Sequence, residues 1–295
     1  MSVSLNSTIA EVTGFFDQDS NTVSYVVTDP ATKKAAIIDS VLDFDYASGT
    51  ISYEHANAMI AHVTAAQLEL EWLIETHVHA DHLSAAPYIQ QKLGGKIGIS
   101  NRISEVQNVF GKLFNAGTEF ERDGSQFDCL FADGDHYKIG SLTGTAIATP
   151  GHTPACMVHL IGDAVFVGDT LFMPDGGTAR ADFPGGDARV LYRSIQKILA
   201  LPGETRMFVC HDYAPNGREF LWETTVAAQR DGNIHVGQNV SEDSFVAMRE
   251  SRDATLAMPR LIMPSIQVNM RAGHMPGAED NGKTYLKVPI SGIKG

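Results

Sequence analysis

Residues 76–84 read Thr-His-Val-His-Ala-Asp-His-Leu-Ser, so three histidines and an aspartate fall within six residues. They follow directly on the apolar run 70–74, which has the length and composition of a short buried strand. The cluster therefore stands where a strand gives way to a loop. Ser84 is placed to cap the helix expected over 84–93, which Gly94-Gly95 stops. His77 and His79 are two apart and point to the same side of an extended chain. Asp81 and His82 come next as the chain turns. Imidazoles and a carboxylate converging on one point are a set of metal ligands.

The rest of the chain repeats this arrangement. Residues 21–28 and 35–38 read as a hairpin ending at Asp39, and 53–66 as a helix. A strand over 96–99 and a helix over 103–112 follow, then a polar surface loop over 115–128. Residues 137–139 and 142–148 pair across Gly140-Ser141 and run into a tight turn containing His152. A second hairpin, 157–161 with 164–167, ends at Gly168-Asp169. After a helix over 188–200, the strand 206–210 ends at His211. Helices are expected over 217–230 and 240–257, whereas 258–295 is rich in Pro and Gly and shows no period. Taken singly, His152 is a turn residue, Asp169 a turn aspartate and His211 a surface histidine. Together, four strand ends each carry a metal-ligand residue type, and strand-end loops on one sheet edge are where a rigid frame builds sites.

Composition bounds the function. The 295 residues with 43% hydrophobic content suffice for a large core. A formal net charge of −13 repels phosphate backbones, so no nucleic-acid partner is expected. No apolar run is long enough to span a bilayer, and the first residues show no secretory pattern, so no membrane association and a cytoplasmic location are expected. Three dispersed cysteines suggest no disulfide framework. Cys156 and Cys210 read as small buried apolar residues, and Cys129 as nearer the surface and open to reaction.

His-x-His-x-Asp-His at 77–82, Gly-His-Thr at 151–153, Gly-Asp-x-Leu-Phe at 168–172 and His211 resemble, in this order, the signature of the metallo-β-lactamase fold. The resemblance covers roughly residues 21–213 and implies an α/β protein, an αββα four-layer sandwich with a metal site on one sheet edge. Residues 1–240 would form that domain and 241–295 a C-terminal extension packed on it. Asp169 stands where zinc β-lactamases carry cysteine, and His79 where flavodiiron proteins carry glutamate. The run Gly176-Gly177-Thr178-Ala179-Arg180-Ala181-Asp182-Phe183, with Ala80 and the tail 263–269, is similar to the persulfide dioxygenases. Segments 41–56 and 115–128 depart from the shorter members.

That resemblance implies one Fe(II) per chain held by His77, His152 and Asp169, with His79, Asp81, His82 and His211 around it or lining a second-metal pocket. Its reaction would oxidise glutathione persulfide with O2 and water to sulfite and glutathione. The ligand set equally admits two Zn(II) per chain and a thioester hydrolase of glyoxalase II type. A non-catalytic persulfide-binding or sensing module is a third reading. Arg180, which a salt bridge to Asp182 would otherwise occupy, Tyr213, otherwise a core tyrosine, and Arg271 are the candidate glutathione contacts. A homodimer is expected from the family.

Overall fold

The computed structural model describes residues 9–290 and residue 292. Strand β2 (Thr22–Asp29) is β-branched and aromatic along most of its length, and all of it is buried. It pairs antiparallel with β1 (Glu11–Asp17) and β3 (Lys34–Ile38). The hairpin β4 (Val41–Asp45) and β5 (Thr50–Ser52) and helix α1 (Glu54–Ala65) lead to β6 (Glu69–Ile74), which lies parallel to β3. The two-residue β7 (Leu83–Ser84), α2 (Ala86–Leu93), β8 (Lys96–Ser100), α3 (Ile103–Leu113) and β9 (Cys129–Phe131) follow. The first sheet runs β1-β2-β3-β6-β8-β9.

The second sheet comprises β10 (His136–Ile139), β11 (Leu142–Ala148), β12 (Met157–Ile161), β13 (Ala164–Phe166), β14 (Arg206–Phe208) and β15 (Glu223–Thr225), in that order. Helices α4 (Ala188–Leu199), α5 (Val226–Gly232), α6 (Glu242–Asp253) and α7 (Ile262–Asn269) complete the chain. Side chains alternate between two cores, as a pleated strand buried on both faces requires. Tyr25, Val27, Ile38 and Ile74 meet Phe166 and Phe208 between the sheets. Val26, Ile37, Leu73 and Ile97 face outward onto α1, α2, α3 and α7. On the far side Val158, Val165 and Met207 pack against α4 and α6. The result is the αββα sandwich.

Strand direction places the site. β3 and β6 are parallel, as are β13 and β14, and the antiparallel run β11-β12-β13 turns β11 the same way as β13. The sheets are stitched where these strands end: Met157 N–H donates to the Thr76 carbonyl at 2.9 Å and Val23 N–H to that of Cys210 at 2.7 Å.

Several expectations are corrected. The segment expected as a helix over 217–230 is largely extended; Phe220 and Trp222 lie along Phe16, β15 adds an edge strand, and α5 begins only at Val226 under its Thr225 cap. Burial of aromatic residues beside a sheet edge outweighs helix composition there. The tail contains α7, whose residues from Pro264 to Asn269 are all buried. A helix buried on every side, its polar Ser265, Gln267 and Asn269 included, has no solvent face to impose an amphipathic period, so the sequence shows none. Ser84 is not the N-cap of α2; it lies in β7, its Oγ accepts from Ala86 N–H at 3.1 Å and donates to Glu75 Oε1 at 2.6 Å. The 115–128 loop is not merely a surface loop, since it buries Phe120 and Phe127.

Asp29 is fully buried and accepts from Ala31 N–H, Thr32 Oγ1, Ser141 N–H and Ser141 Oγ, tying β2 to the β10–β11 turn. Burial alone would raise its pKa; these bonds outweigh it and bring it to about 2. The folded value lies below the unfolded one, so the stabilisation is present above roughly pH 4 and lost as pH falls toward 2. Asp29→Asn, which sets a donor against donors, is expected to cost about 2–3 kcal/mol in urea unfolding and to flatten the acid limb of the stability profile.

Candidate metal centre

The seven residues singled out in the sequence come together at the stitched edge. His77, His79, Asp81 and His82 follow β6, His152 follows β11, Asp169 lies in a short 3-10 turn after β13, and His211 follows β14. Ring centroids of His77 and His79 are 4.0 Å apart and those of His79 and His82 4.3 Å. Asp169 Oδ2 lies 3.5 Å from His152 Nε2 and 3.9 Å from His77 Nε2, and its Oδ1 3.2 Å from His211 Nε2. The backbone allows this approach through Gly168, at φ +48°, where a Cβ would stand 2.5 Å from Thr76 Oγ1.

Hydrogen bonds fix how each imidazole is presented. His152 Nδ1–H donates to the Arg180 carbonyl at 2.7 Å, and His211 Nδ1–H to that of Asn21 at 3.1 Å. His82 Nδ1–H donates to Asp81 Oδ2 at 3.1 Å. The Thr76 hydroxyl donates to Asp39 Oδ2 and accepts from His77 Nδ1–H at 3.0 Å. His79 alone is reversed: its Nε2–H donates to Asp39 Oδ1 at 2.9 Å, leaving Nδ1 forward. Each ring thus spends one nitrogen on the frame and turns the other to the hollow. Among the described residues, His77 Nε2, His79 Nδ1 and His82 Nε2 are buried without a hydrogen-bond partner. Orphaned imidazole nitrogens beside carboxylates are the donor set of a transition-metal ion, backed by the carboxylate and carbonyl partners that orient metal-bound histidines.

The electrostatics agree. Burial would raise Asp169, but His211, His77 and His152 hold its carboxyl far below the usual range. Burial likewise opposes charge on His211, and Asp169 outweighs it, lifting the ring well above the ordinary value. Burial would raise Asp39, but beside His79 it falls to about 2. Carboxylates kept ionised in the interior favour a dication, which would take the place of the proton on His211. Ligating atoms of His77, His152 and Asp169 lie within 4.8 Å of one another, and so do those of His79, Asp81 and His82. The residues fit one ion or two.

The hollow opens into a cleft of about 370 Å³ whose apolar side includes Phe172, Phe183, Leu256 and Pro259. Tyr213 stands at its mouth, 57% exposed, with its ring parallel to that of His211; it is not a core tyrosine. Arg180 lines the wall, yet all three of its nitrogens are engaged, two with Asp182 and one with the Ala257 carbonyl. Arg271 does not reach the cleft. Its guanidinium lies 4.3 Å from the Phe120 ring and donates to the Gln267 carbonyl, in a separate pocket under the 115–128 loop. Cys210 is more than a small apolar residue, because its thiol faces Asp39 Oδ2 at 3.6 Å on the floor of the site. Burial raises the Cys129 thiol, which argues against reactivity there.

Sequence reasoning missed four residues. Asp39 follows a strand on the same edge and obeys the rule that found the others. Asn269, whose carboxamide bonds the backbone of the histidine loop, ends the tail 263–269 that carried part of the resemblance but was given no role there. Arg252 and Arg260 are exposed and line the cleft, and neither makes a close side-chain ion pair among the described residues.

A two-sheet sandwich with buried histidines and aspartates gathered at one edge defines a metal-dependent enzyme. The chain belongs to the metallo-beta-lactamase superfamily, whose family model matches residues 18–211. It is 55% identical to a "Probable metallo-hydrolase" of Burkholderia pseudomallei, over 96% of this chain and 99% of the relative. It is 47% identical to "Glyoxylase B2" of Dictyostelium discoideum, over 97% and 98%. It is 28% identical to the mitochondrial persulfide dioxygenase ETHE1 of Mus musculus, over 88% and 87%. The crystal structure of ETHE1 from Myxococcus xanthus superposes with a TM-score of 0.71 at 29% identity, covering 90% of this chain and 100% of that one. Of these relatives, the one at 55% carries a metallo-hydrolase name and the one at 47% a glyoxylase name, and the persulfide dioxygenase stands further off.

Asp169 faces His77, His152 and His211, so it serves either pocket, whereas His211 faces only Asp169 and Asp81. Elemental analysis is expected to find Asp169→Ala nearly metal-free, and His211→Ala still holding one ion per chain.

Proposed function

We propose that this chain is a glutathione-dependent persulfide dioxygenase, oxidising glutathione persulfide with dioxygen and water to glutathione and sulfite at one Fe(II) held by His77, His152 and Asp169. The observation that carries the reading is the two-histidine, one-carboxylate face, of which His152 and Asp169 also line the arginine-walled cleft. His77, His152 and Asp169 would hold the ion, and Fe(II) bound there would relay to triplet oxygen the electrons that the spin-paired persulfide sulfur does not readily give it directly. Similarity to the mouse and Myxococcus proteins over most of the chain supports the same reading.

The chain's own residues orient and shield. Arg252 and Arg260 offer charge to the carboxylates of an anionic tripeptide on a protein whose net charge is −13. Phe183, Leu256 and Pro259 cover the apolar side of the cleft. Asp81 already accepts from Thr22 Oγ1 at 3.0 Å and from His82 Nδ1–H at 3.1 Å, which ties it to the frame.

A second reading has its own observation. The unpaired Nδ1 of His79 and Nε2 of His82 suit a second ion, and the relatives at 55% and 47% identity are named a probable metallo-hydrolase and a glyoxylase. That reading is a dinuclear zinc thioester hydrolase. An oxygen electrode separates the two. Iron-loaded protein is expected to consume dioxygen with glutathione persulfide and to produce sulfite in equal amount; no uptake, together with lactoylglutathione turnover by zinc-loaded protein, would sink the dioxygenase. The double variant Arg252→Ala/Arg260→Ala is expected to raise KM about tenfold with kcat little changed, the mark of lost uniform binding.

A further inference from the structure

Residues 77–82 form neither helix nor strand, yet their backbone is buried, so each carbonyl and N–H needs a partner from elsewhere. Two of these groups, and the N–H of Ser84 just beyond them, share one. Asn269, 5% exposed at the end of α7, donates from Nδ2 to the His79 carbonyl at 2.9 Å and to the His82 carbonyl at 2.8 Å. Its Oδ1 accepts from Ser84 N–H at 2.8 Å. Both amide hydrogens and the oxygen are used, and no other side chain of this size offers two donors and an acceptor in one plane.

We propose that Asn269 is a positioning residue of the metal centre: its carboxamide sets the course of the backbone from His79 to Ser84, and through it aims Nδ1 of His79 and Nε2 of His82. The anchoring of α7 does not depend on Asn269. Ile262, Ile266 and Val268 sit in the outer core of the first sheet, Gln107 Nε2 donates to the Met270 carbonyl at 3.0 Å, and Gln267 Nε2 donates to the Lys287 carbonyl at 2.9 Å. The helix is therefore a fixed post, and the loop carrying His79, Asp81 and His82 is pinned to it. The inference concerns the pocket of His79, Asp81 and His82, which a reaction run at one ion on His77, His152 and Asp169 leaves open to added metal.

The test uses the full-length chain, stripped of metal and titrated with Co(II) while absorption is recorded. Wild-type protein is expected to take a second equivalent, into the pocket of His79, Asp81 and His82. Asn269→Asp, which turns an acceptor toward two carbonyls, is expected to weaken that equivalent by about 10–100-fold and to alter its d–d spectrum, with the first equivalent within threefold of wild type. Gln107→Ala loosens the same tail without touching the loop and is expected to leave both equivalents unchanged. Should Asn269→Asp fail to fold, Asn269→Ser, which keeps one donor, carries the same titration. A wild-type chain that binds a single equivalent, or folded Asn269 variants that bind the second as wild type does, overturns the proposal; a lowered melting temperature with unchanged Co(II) binding would mark a merely structural residue.

Discussion

One buried carboxylate holds the centre in shape. Asp39 receives Thr76 N–H and the Thr76 hydroxyl, each at 2.8 Å, His79 Nε2–H at 2.9 Å, and the Cys210 thiol. It ends β3, and those four donors come from the exits of β6 and β14, so one side chain ties both sheets at the edge where they part. Its backbone takes a left-handed φ of +52°, uncommon for a non-glycine residue and tolerated best by Asp and Asn. The imidazoles lean on this arrangement: His79 directly, and His77 through the Thr76 hydroxyl. Left without a partner in the interior, Asp39 would be costly; with four donors it is the pivot about which the histidine loop is laid.

The sequence disclosed β2, β3, β6 and β8 of the first sheet, the hairpins β2–β3, β10–β11 and β12–β13, and the seven converging residues because those features are local, whereas the edge strands β1 and β9 and the β4–β5 hairpin went unread. A strand ends, and the next few residues declare their chemistry. What it concealed depends on contacts between distant parts. The 220–222 stretch became extended because Phe220 and Trp222 found Phe16, a partner with no mark in the neighbouring sequence. α7 was hidden because a helix buried on every side has no solvent face to reveal its period. Asp39 was legible by the rule already in hand and was passed over. Arg271 is an attractive cation in the sequence, but the tail turns at Ala272, with φ +56°, and Arg271 ends against Phe120 rather than in the cleft.

Charge is divided unevenly over the molecule. The whole is acidic, yet the cleft is lined by Arg180, Arg249, Arg252 and Arg260. Two of these are neutralised within the wall, Arg180 by Asp182 and Arg249 by Asp253. The uncommitted pair lies on the segment that follows the matched family region, as does Asn269. Residues beyond 211 therefore supply uncommitted charge on the rim and the Asn269 clamp beneath the histidine loop, while the shared sandwich supplies the ligands and their pivot Asp39.

The three bonds from Asn269 each close a span of 185 to 190 residues. At ordinary rates of translation, roughly 10–40 seconds separate the emergence of the histidine loop from that of its clamp. During that interval the stretch carrying three of the histidines lacks the side chain that later fixes its course. The ligands of this centre are thus made well before the clamp that sets their path.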